Sequence, residues 1–245
     1  ENALADHFAP KGANTRVWNC LEKMVVNDAK TFINYYKNPV FAQICEAWLG
    51  PDYQITSQVN LVHPGGKAQQ PHRDYHLGFT DDDEVKRYPL HVQMMSAMLT
   101  LQGAVAHVDM PVASGPTMLL PYSQRYEYGY GLYRNPDFKD YFQEHSVQLP
   151  LNKGDAMFFN PALMHGAGSN VSKDVQRLVN LFQISSAFGK AMESVDHTPI
   201  SRISDLFTDV TQKYEKQIKE ELDNESEKNH KENFNYQSSY SIDEL

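Results

Sequence analysis

Pro64-Gly65-Gly66-Lys67-Ala68-Gln69-Gln70-Pro71-His72-Arg73-Asp74 turns through glycine and proline, then sets an imidazole and a carboxylate one residue apart. Alternate residues of an extended segment project from the same face, so His72 and Asp74 can grip one ion together. The chain then enters an expected strand, Tyr75-His76-Leu77-Gly78-Phe79. A lone histidine, His165, lies far downstream, with Arg177 beyond it. Two imidazoles and one carboxylate form the ligand set that suits non-haem Fe(II) and leaves positions open for a co-substrate and O₂. The planar, permanently charged fork of Arg177 suits the remote carboxylate of a keto-diacid such as 2-oxoglutarate.

No single piece of this set is specific, because an H-x-D triplet arises easily in a chain with ten histidines. A second triplet, His107-Val108-Asp109, is present. It closes the apolar run Met98 to Ala106, which reads as a strand leaving the core, and Met110-Pro111 turns directly after it. There Asp109 is a turn former and His107 a strand-end residue, so the ligand pair is assigned to His72 and Asp74.

Outward from the triplet, short β-prone runs alternate with Gly, Pro, Asn and Asp turns from Tyr53 to about Phe188. They cover Tyr53 to Val62, Val92 to Val108, Thr117 to Leu120, Val147 to Leu149, Ala156 to Phe159 and Arg177 to Ser185. This texture predicts a mainly β (α+β) protein whose core, residues 53–188, is a double-stranded β-helix, the jelly roll of cupin-like proteins. Residues 1–52 read as a helical flank of the same domain. Thr31 to Lys37 and Pro39 to Gly50 carry apolar residues at helical spacing, the latter opening on proline and closing on glycine. Residues 189–222 read as a helical extension, with Leu206, Phe207, Val210, Tyr214, Ile218 and Leu222 on one stripe that docks on the core or forms a homodimer. Residues 223–245 are polar and read as a loose tail.

Composition limits the partners. Of 245 residues 41% are hydrophobic, as in a folded protein, and the formal net charge of −9 excludes a nucleic-acid surface, which needs clustered Lys and Arg. No apolar stretch approaches the roughly 18 residues of a membrane span. Cys20 and Cys45 lack zinc-finger or C-x-x-C spacing and read as free thiols of a reducing, cytoplasmic compartment. The chain begins at Glu1 rather than Met, as a fragment or processed form does.

Gln58 and Asn60 stand two apart on the strand before the metal loop and share a face. Asn60 is assigned to 2-oxoglutarate and Gln58 to the substrate pocket, against the plain reading of a satisfied polar pair. Tyr75 and His76, beside the ligands, are further pocket candidates. Met94, Met95 and Met98 read as adaptable core filler. Asp81-Asp82-Asp83-Glu84 reads as a solvated loop, or else as a lid whose charge would favour cationic or zwitterionic substrates.

Three ordered segments carry a family likeness: Gln70 to Asp74; Ala113-Ser114-Gly115-Pro116-Thr117-Met118-Leu119-Leu120-Pro121-Tyr122-Ser123-Gln124; and Gly154-Asp155-Ala156-Met157-Phe158-Phe159-Asn160-Pro161-Ala162-Leu163-Met164-His165-Gly166-Ala167-Gly168-Ser169-Asn170. Over roughly residues 53–188 the chain resembles the phytanoyl-CoA dioxygenase family, Fe(II)- and 2-oxoglutarate-dependent oxygenases on a double-stranded β-helix. The resemblance implies iron ligation by His72, Asp74 and His165 and an oxoglutarate clamp at Arg177. Pro121-Tyr122-Ser123-Gln124 departs from the family's Pro-Gly-Ser-His turn but touches no ligand. A carboxylate at position 74, where the family's halogenases have none, points to hydroxylation of a small molecule. Two other classes share the sequence features: a cupin-type metalloenzyme that needs no oxoglutarate, and a non-catalytic jelly-roll binding protein.

Overall fold

The computed structural model describes residues 13–78, 80–203, 216, 219 and 220. Strand β1 (Asn14–Val17) leads into helices α1 (Cys20–Asn27), α2 (Ala29–Tyr36) and α3 (Pro39–Leu49), then β2 (Gln54–Val62). Helices α4 (Asp82–Lys86) and α5 (Leu90–Met98) precede β3 (Thr100–Ala106) and β4 (Thr117–Leu119). Helix α6 (Pro136–His145), strands β5 (Val147–Gln148), β6 (Ala156–Phe159), β7 (His165–Ala167) and β8 (Arg177–Ser185), and helix α7 (His197–Ser201) complete the order.

The strands form two antiparallel sheets, one of five in the order β1-β2-β8-β3-β6 and one of three in the order β5-β4-β7. This is the expected jelly roll. The stripe predicted over Ile203 to Leu222 lies almost wholly outside the described residues, as does the polar tail. Among the described residues no helix is long and apolar enough to cross a membrane.

The larger sheet is covered on both faces. Along β8, Arg177, Val179, Leu181 and Gln183 line an internal cavity, whereas Phe182 and Ile184 meet the helices, the two-residue period of a strand. Phe41 and Cys45 of α3 pack on Leu101, Phe182 and Ile184. Both cysteines are free and buried. Phe182 is fully buried; the Phe41 ring lies edge-on at 4.9 Å and the Phe158 ring runs parallel at 6.4 Å. Gly103 pairs with both phenylalanines, and a Cβ there would stand 2.7 Å from the Phe158 ring. Its bare backbone admits that ring.

Local chemistry sets the helix ends. Asp28 caps α2 by accepting from the Thr31 amide at 3.0 Å, and Asn38 caps α3 ahead of Pro39.

Several expectations are corrected. Residues 14–17, placed in the helical flank, form a strand, because the β-branched, exposed Thr15 and Val17 alternate with the half-buried Asn14 and Arg16 along the edge of β2. Residues 92–98, expected as strand, belong to α5: Met and Ala are strong helix formers, and Gln93 anchors the helix start by donating to the Val85 and Tyr88 carbonyls. Met94, Met95 and Met98 are exposed there rather than filling the core. Tyr75–Gly78 forms a tight turn instead of a strand, with Tyr75 at φ 71° and His76 at φ 25°. The acidic run is a helix start, Asp81 capping Glu84 at 2.8 Å.

Phe182→Ala should lower unfolding free energy by about 3–5 kcal/mol, the range for a fully buried phenylalanine, and Phe182→Leu by clearly less. Urea denaturation followed by circular dichroism measures both.

Candidate metal centre

His72 and His165 meet through a two-residue antiparallel bridge. The His72 amide donates to the His165 carbonyl at 2.9 Å and the His165 amide to the His72 carbonyl at 3.0 Å. Residues remote in sequence are thereby held side by side, ring centroids 4.5 Å apart. Asp74 joins them: its Oδ1 lies 3.4 Å from His72 Nε2 and its Oδ2 3.5 Å from His165 Nε2. One ligand atom from each of the three residues falls within 4.8 Å of the others. Atoms bound side by side to one ion at roughly 2.1 Å stand about 3 Å apart, so a small closing movement completes the set.

The tautomers follow from the partners. His72 Nδ1 lies 2.7 Å from the Gln70 carbonyl and His165 Nδ1 2.7 Å from the Leu163 carbonyl. A carbonyl only accepts, so both protons sit on Nδ1 and both Nε2 atoms present lone pairs. Burial pushes the His72 imidazolium down from its usual range, against the opposing Asp74 charge, so the ring is neutral. His165 Nε2 is buried and has no hydrogen-bond partner among the described residues. A buried lone pair facing a carboxylate and a second lone pair fits a divalent cation and fits nothing in the protein itself.

Asp74, 12% exposed, is held by two amides: Gln102 Nε2 donates to Oδ2 at 2.6 Å and Gln183 Nε2 at 3.2 Å. The glutamines are cross-strand partners on β3 and β8. Polar residues on otherwise apolar strands were the available signal for this pair of glutamines, and the sequence reading missed them.

The residue between the ligands leaves the metal site. Buried Arg73 donates from Nη2 to the carbonyls of Ser123 (2.7 Å) and Tyr126 (2.6 Å), and its guanidinium lies 5.4 Å from the Tyr130 ring centre. Ser123 Oγ in turn accepts from the Met164 amide at 2.7 Å, beside His165. The departure at Pro121–Gln124 therefore still positions a ligand. Asn170, fully buried, donates to the Val62 and Val175 carbonyls and fixes the loop that leads to Arg177.

A cavity of about 140 Å³ contains the three ligands together with Arg16, Gln58, Asn60 and Arg177. Arg177 Nη1 donates to the Ser114 (3.2 Å) and Gly168 (3.1 Å) carbonyls, and among the described residues no carboxylate comes within ion-pair distance. Burial, then the neighbouring Arg16 charge, lowers its pKa to about 10. Arg16, on β1 opposite Asn60, donates to Gln58 Oε1 at 3.3 Å and lies over the Trp18 ring at 5.3 Å. No local signal marked Arg16, since its four-residue strand is set by pairing with β2. Asn60 Nδ2 donates to Asn14 Oδ1 and the Thr15 carbonyl, and Gln58 Nε2 to Glu193 Oε1. Tyr75 and His76 are not in this cavity; Tyr75 hydroxyl pairs with Ser185 Oγ, and His76 bonds Ser96 Oγ and the Lys190 carbonyl. His107 also lies elsewhere, against the Tyr35 hydroxyl, and Asp109 accepts from the Lys153 amide in a turn.

Comparison with known proteins places these features. Residues 2–178 match the profile of the family described as Phytanoyl-CoA dioxygenase (PhyH). Dioxygenase aneA of Aspergillus aculeatus is 26% identical over 210 residues, 82% of this chain, and the chain spans 63% of that relative's length. HygX from Streptomyces hygroscopicus, solved with nickel and 2-oxoglutarate bound, superposes with a TM-score of 0.55 at 12% identity, covering 76% of this chain and 74% of its own. SnoK, a non-heme alpha ketoglutarate dependent carbocyclase from nogalamycin biosynthesis, gives 0.51 at 17% identity, covering 77% and 70%. At those identities the two structures share the fold. On the extent of the family match, the chain belongs to the phytanoyl-CoA dioxygenase family.

Proposed function

We propose that the chain is a non-haem Fe(II)- and 2-oxoglutarate-dependent dioxygenase that hydroxylates an unactivated C–H bond of a small molecule. One observation carries the reading. Two imidazoles whose protons are committed to backbone carbonyls turn their lone pairs, with the Asp74 carboxylate, into one cavity that also holds Arg177. Membership of a family described as dioxygenases supports the same activity.

His72, Asp74 and His165 would hold the metal, the hard carboxylate oxygen offsetting part of its charge and the borderline imidazoles suiting Fe(II). Iron bound there supplies the redox chemistry by which O₂ decarboxylates 2-oxoglutarate to succinate and CO₂ and delivers its second oxygen atom to a substrate C–H bond. Arg177 is poised for the remote carboxylate of 2-oxoglutarate: one nitrogen is fixed to two carbonyls, and its buried charge gains a counter-ion from the co-substrate. Asn60 and Gln58 line the same cavity and orient what enters it. Val179, Leu181 and Phe159 complete the wall and keep water from the reacting centre. Free, buried thiols at Cys20 and Cys45 suit a cytoplasmic setting.

Titrating Fe(II), or Ni(II) as an inert substitute, should raise the melting temperature of the wild type, binding at a hundredfold excess over Kd contributing about 2.7 kcal/mol. His72→Ala and Asp74→Ala should abolish that rise and Fe(II)-dependent succinate formation; retained turnover would refute the assignment. Arg177→Ala should keep the metal response but raise KM for 2-oxoglutarate about 10- to 100-fold, the loss of a charge-assisted bond of roughly 1.5–3 kcal/mol. An unchanged KM would remove Arg177 as the clamp, and turnover that needs no 2-oxoglutarate and survives Arg177→Ala would favour the oxoglutarate-independent metalloenzyme. Gln183→Leu, which removes one amide from Asp74, should weaken metal binding by about 10- to 100-fold in the same thermal assay.

A further inference from the structure

The chain bends sharply immediately after Asp74. Tyr75 and His76 are successive non-glycine residues in the left-handed region, and such strain persists only where surrounding contacts enforce it. The enforcing contacts are the Gly78 amide on the Tyr75 carbonyl (2.7 Å), the Tyr75 hydroxyl on Ser185 Oγ (3.0 Å) and the two bonds of the His76 ring (2.8 Å each). The turn leaves Asp74 at the metal site and sends the next three side chains into the wall of a second cavity of about 550 Å³. Asp74 and Met192 belong to both cavities, so the two meet at the metal centre.

We propose that this second cavity receives the primary substrate, and that the substrate is an uncharged, hydrocarbon-rich small molecule whose reacting carbon reaches Asp74 past Met192. The inference rests on the oxygenase reading above and adds to it the place and chemistry of the substrate.

Size is the first argument. Pockets for drug-sized ligands span roughly 300–1,000 Å³; the larger cavity lies within that range, and the 140 Å³ space beside Arg177 is suited to a short keto-diacid only. Chemistry is the second. Leu77, Tyr88, Val92, Met95, Leu99 and Met192 form the apolar wall. The hydroxyls of Tyr75 and Ser96 and the ring nitrogens of His76, which also line the cavity, are already committed. Because the Lys190 carbonyl only accepts, His76 Nε2 carries the ring proton and Nδ1 accepts from the Ser96 hydroxyl, so neither nitrogen is left for a ligand. Among the described lining residues Lys190 is the one cation, and it is exposed at the rim. A phosphate or carboxylate carried into the cavity would be desolvated without compensation.

Exposure is the third argument. Val92 is 36% exposed, Met95 49% and Met192 43%, a cluster of apolar side chains around one opening. Such a patch marks a ligand surface, and methionine adapts its shape to the molecule it covers. The acidic run of α4 contributes no lining residue, so its charge does not select the substrate.

Nile red, an uncharged apolar dye, tests the proposal on the full chain loaded with Ni(II). The expected result is fluorescence enhancement that is retained when 2-oxoglutarate is added and falls at least tenfold in apparent affinity in Val92→Trp and Met95→Trp. These exposed positions tolerate a larger ring, so the variants should keep the wild-type melting temperature, its rise with Ni(II), and calorimetric binding of 2-oxoglutarate. Decanol should displace the dye at concentrations at least tenfold lower than decanoate, which differs in its charged head. Unchanged dye binding in both variants, or displacement of the dye by 2-oxoglutarate, would overturn the location. Decanoate competing as well as decanol would overturn the substrate class. Absence of any wild-type response to Ni(II) and 2-oxoglutarate would instead remove the oxygenase reading itself, whatever the dye does.

Discussion

A carboxylate withdrawn from water must be compensated, and the environment of Asp74 is built around that requirement. Two glutamine amides from neighbouring strands bind one oxygen, and two imidazole nitrogens face the pair of oxygens at 3.4 and 3.5 Å. Each imidazole presents a lone pair rather than a proton, because its other nitrogen donates to a backbone carbonyl. Lone pairs and a carboxylate repel one another unless a cation lies between them, which makes the arrangement intelligible as a metal site and as little else.

Much of this was legible in the sequence because it depends on short-range spacing. The one-residue interval between His72 and Asp74, the run from Gly154 through His165 to Asn170, and the alternating strands each leave a local trace. What escaped depends on distant partners. Tyr75 to Phe79 has strand-like composition, but the turn at Tyr75–Gly78 is held by Ser96, Ser185 and Lys190, which no local pattern reveals. Residues 92–98 form an apolar run whose period does not separate helix from strand, and the short helix α5 won. Arg16 enters the cavity because β1 pairs with β2 in a particular register, with Arg16 opposite Asn60.

The larger sheet serves two tasks with one alternation. Phe182 and Ile184 join α3 in the apolar layer, while Arg177 and Gln183, one step out of phase on the same strand, reach into the cavity. A shift of a single residue in the pairing of β8 would exchange the two sets, placing a guanidinium among phenylalanines. Packing of the helical layer thus fixes the register of the polar groups. Arg73 extends the coupling to the other side, linking the metal loop to the backbone at Ser123 and Tyr126.

The pairing of β2 with β8 joins residues as far apart along the chain as Gln54 and Ser185. Closing so long a loop is entropically expensive and places the protein among slow folders of high contact order. On the ribosome, β2 emerges long before its partner, and β2 and β3 must each wait with an edge unsatisfied until β8 is made. A nascent chain halted between β7 and β8 has both histidines and the aspartate but lacks the strand that carries Gln183 and Arg177, so the candidate metal site is completed only as synthesis of the sheet is completed.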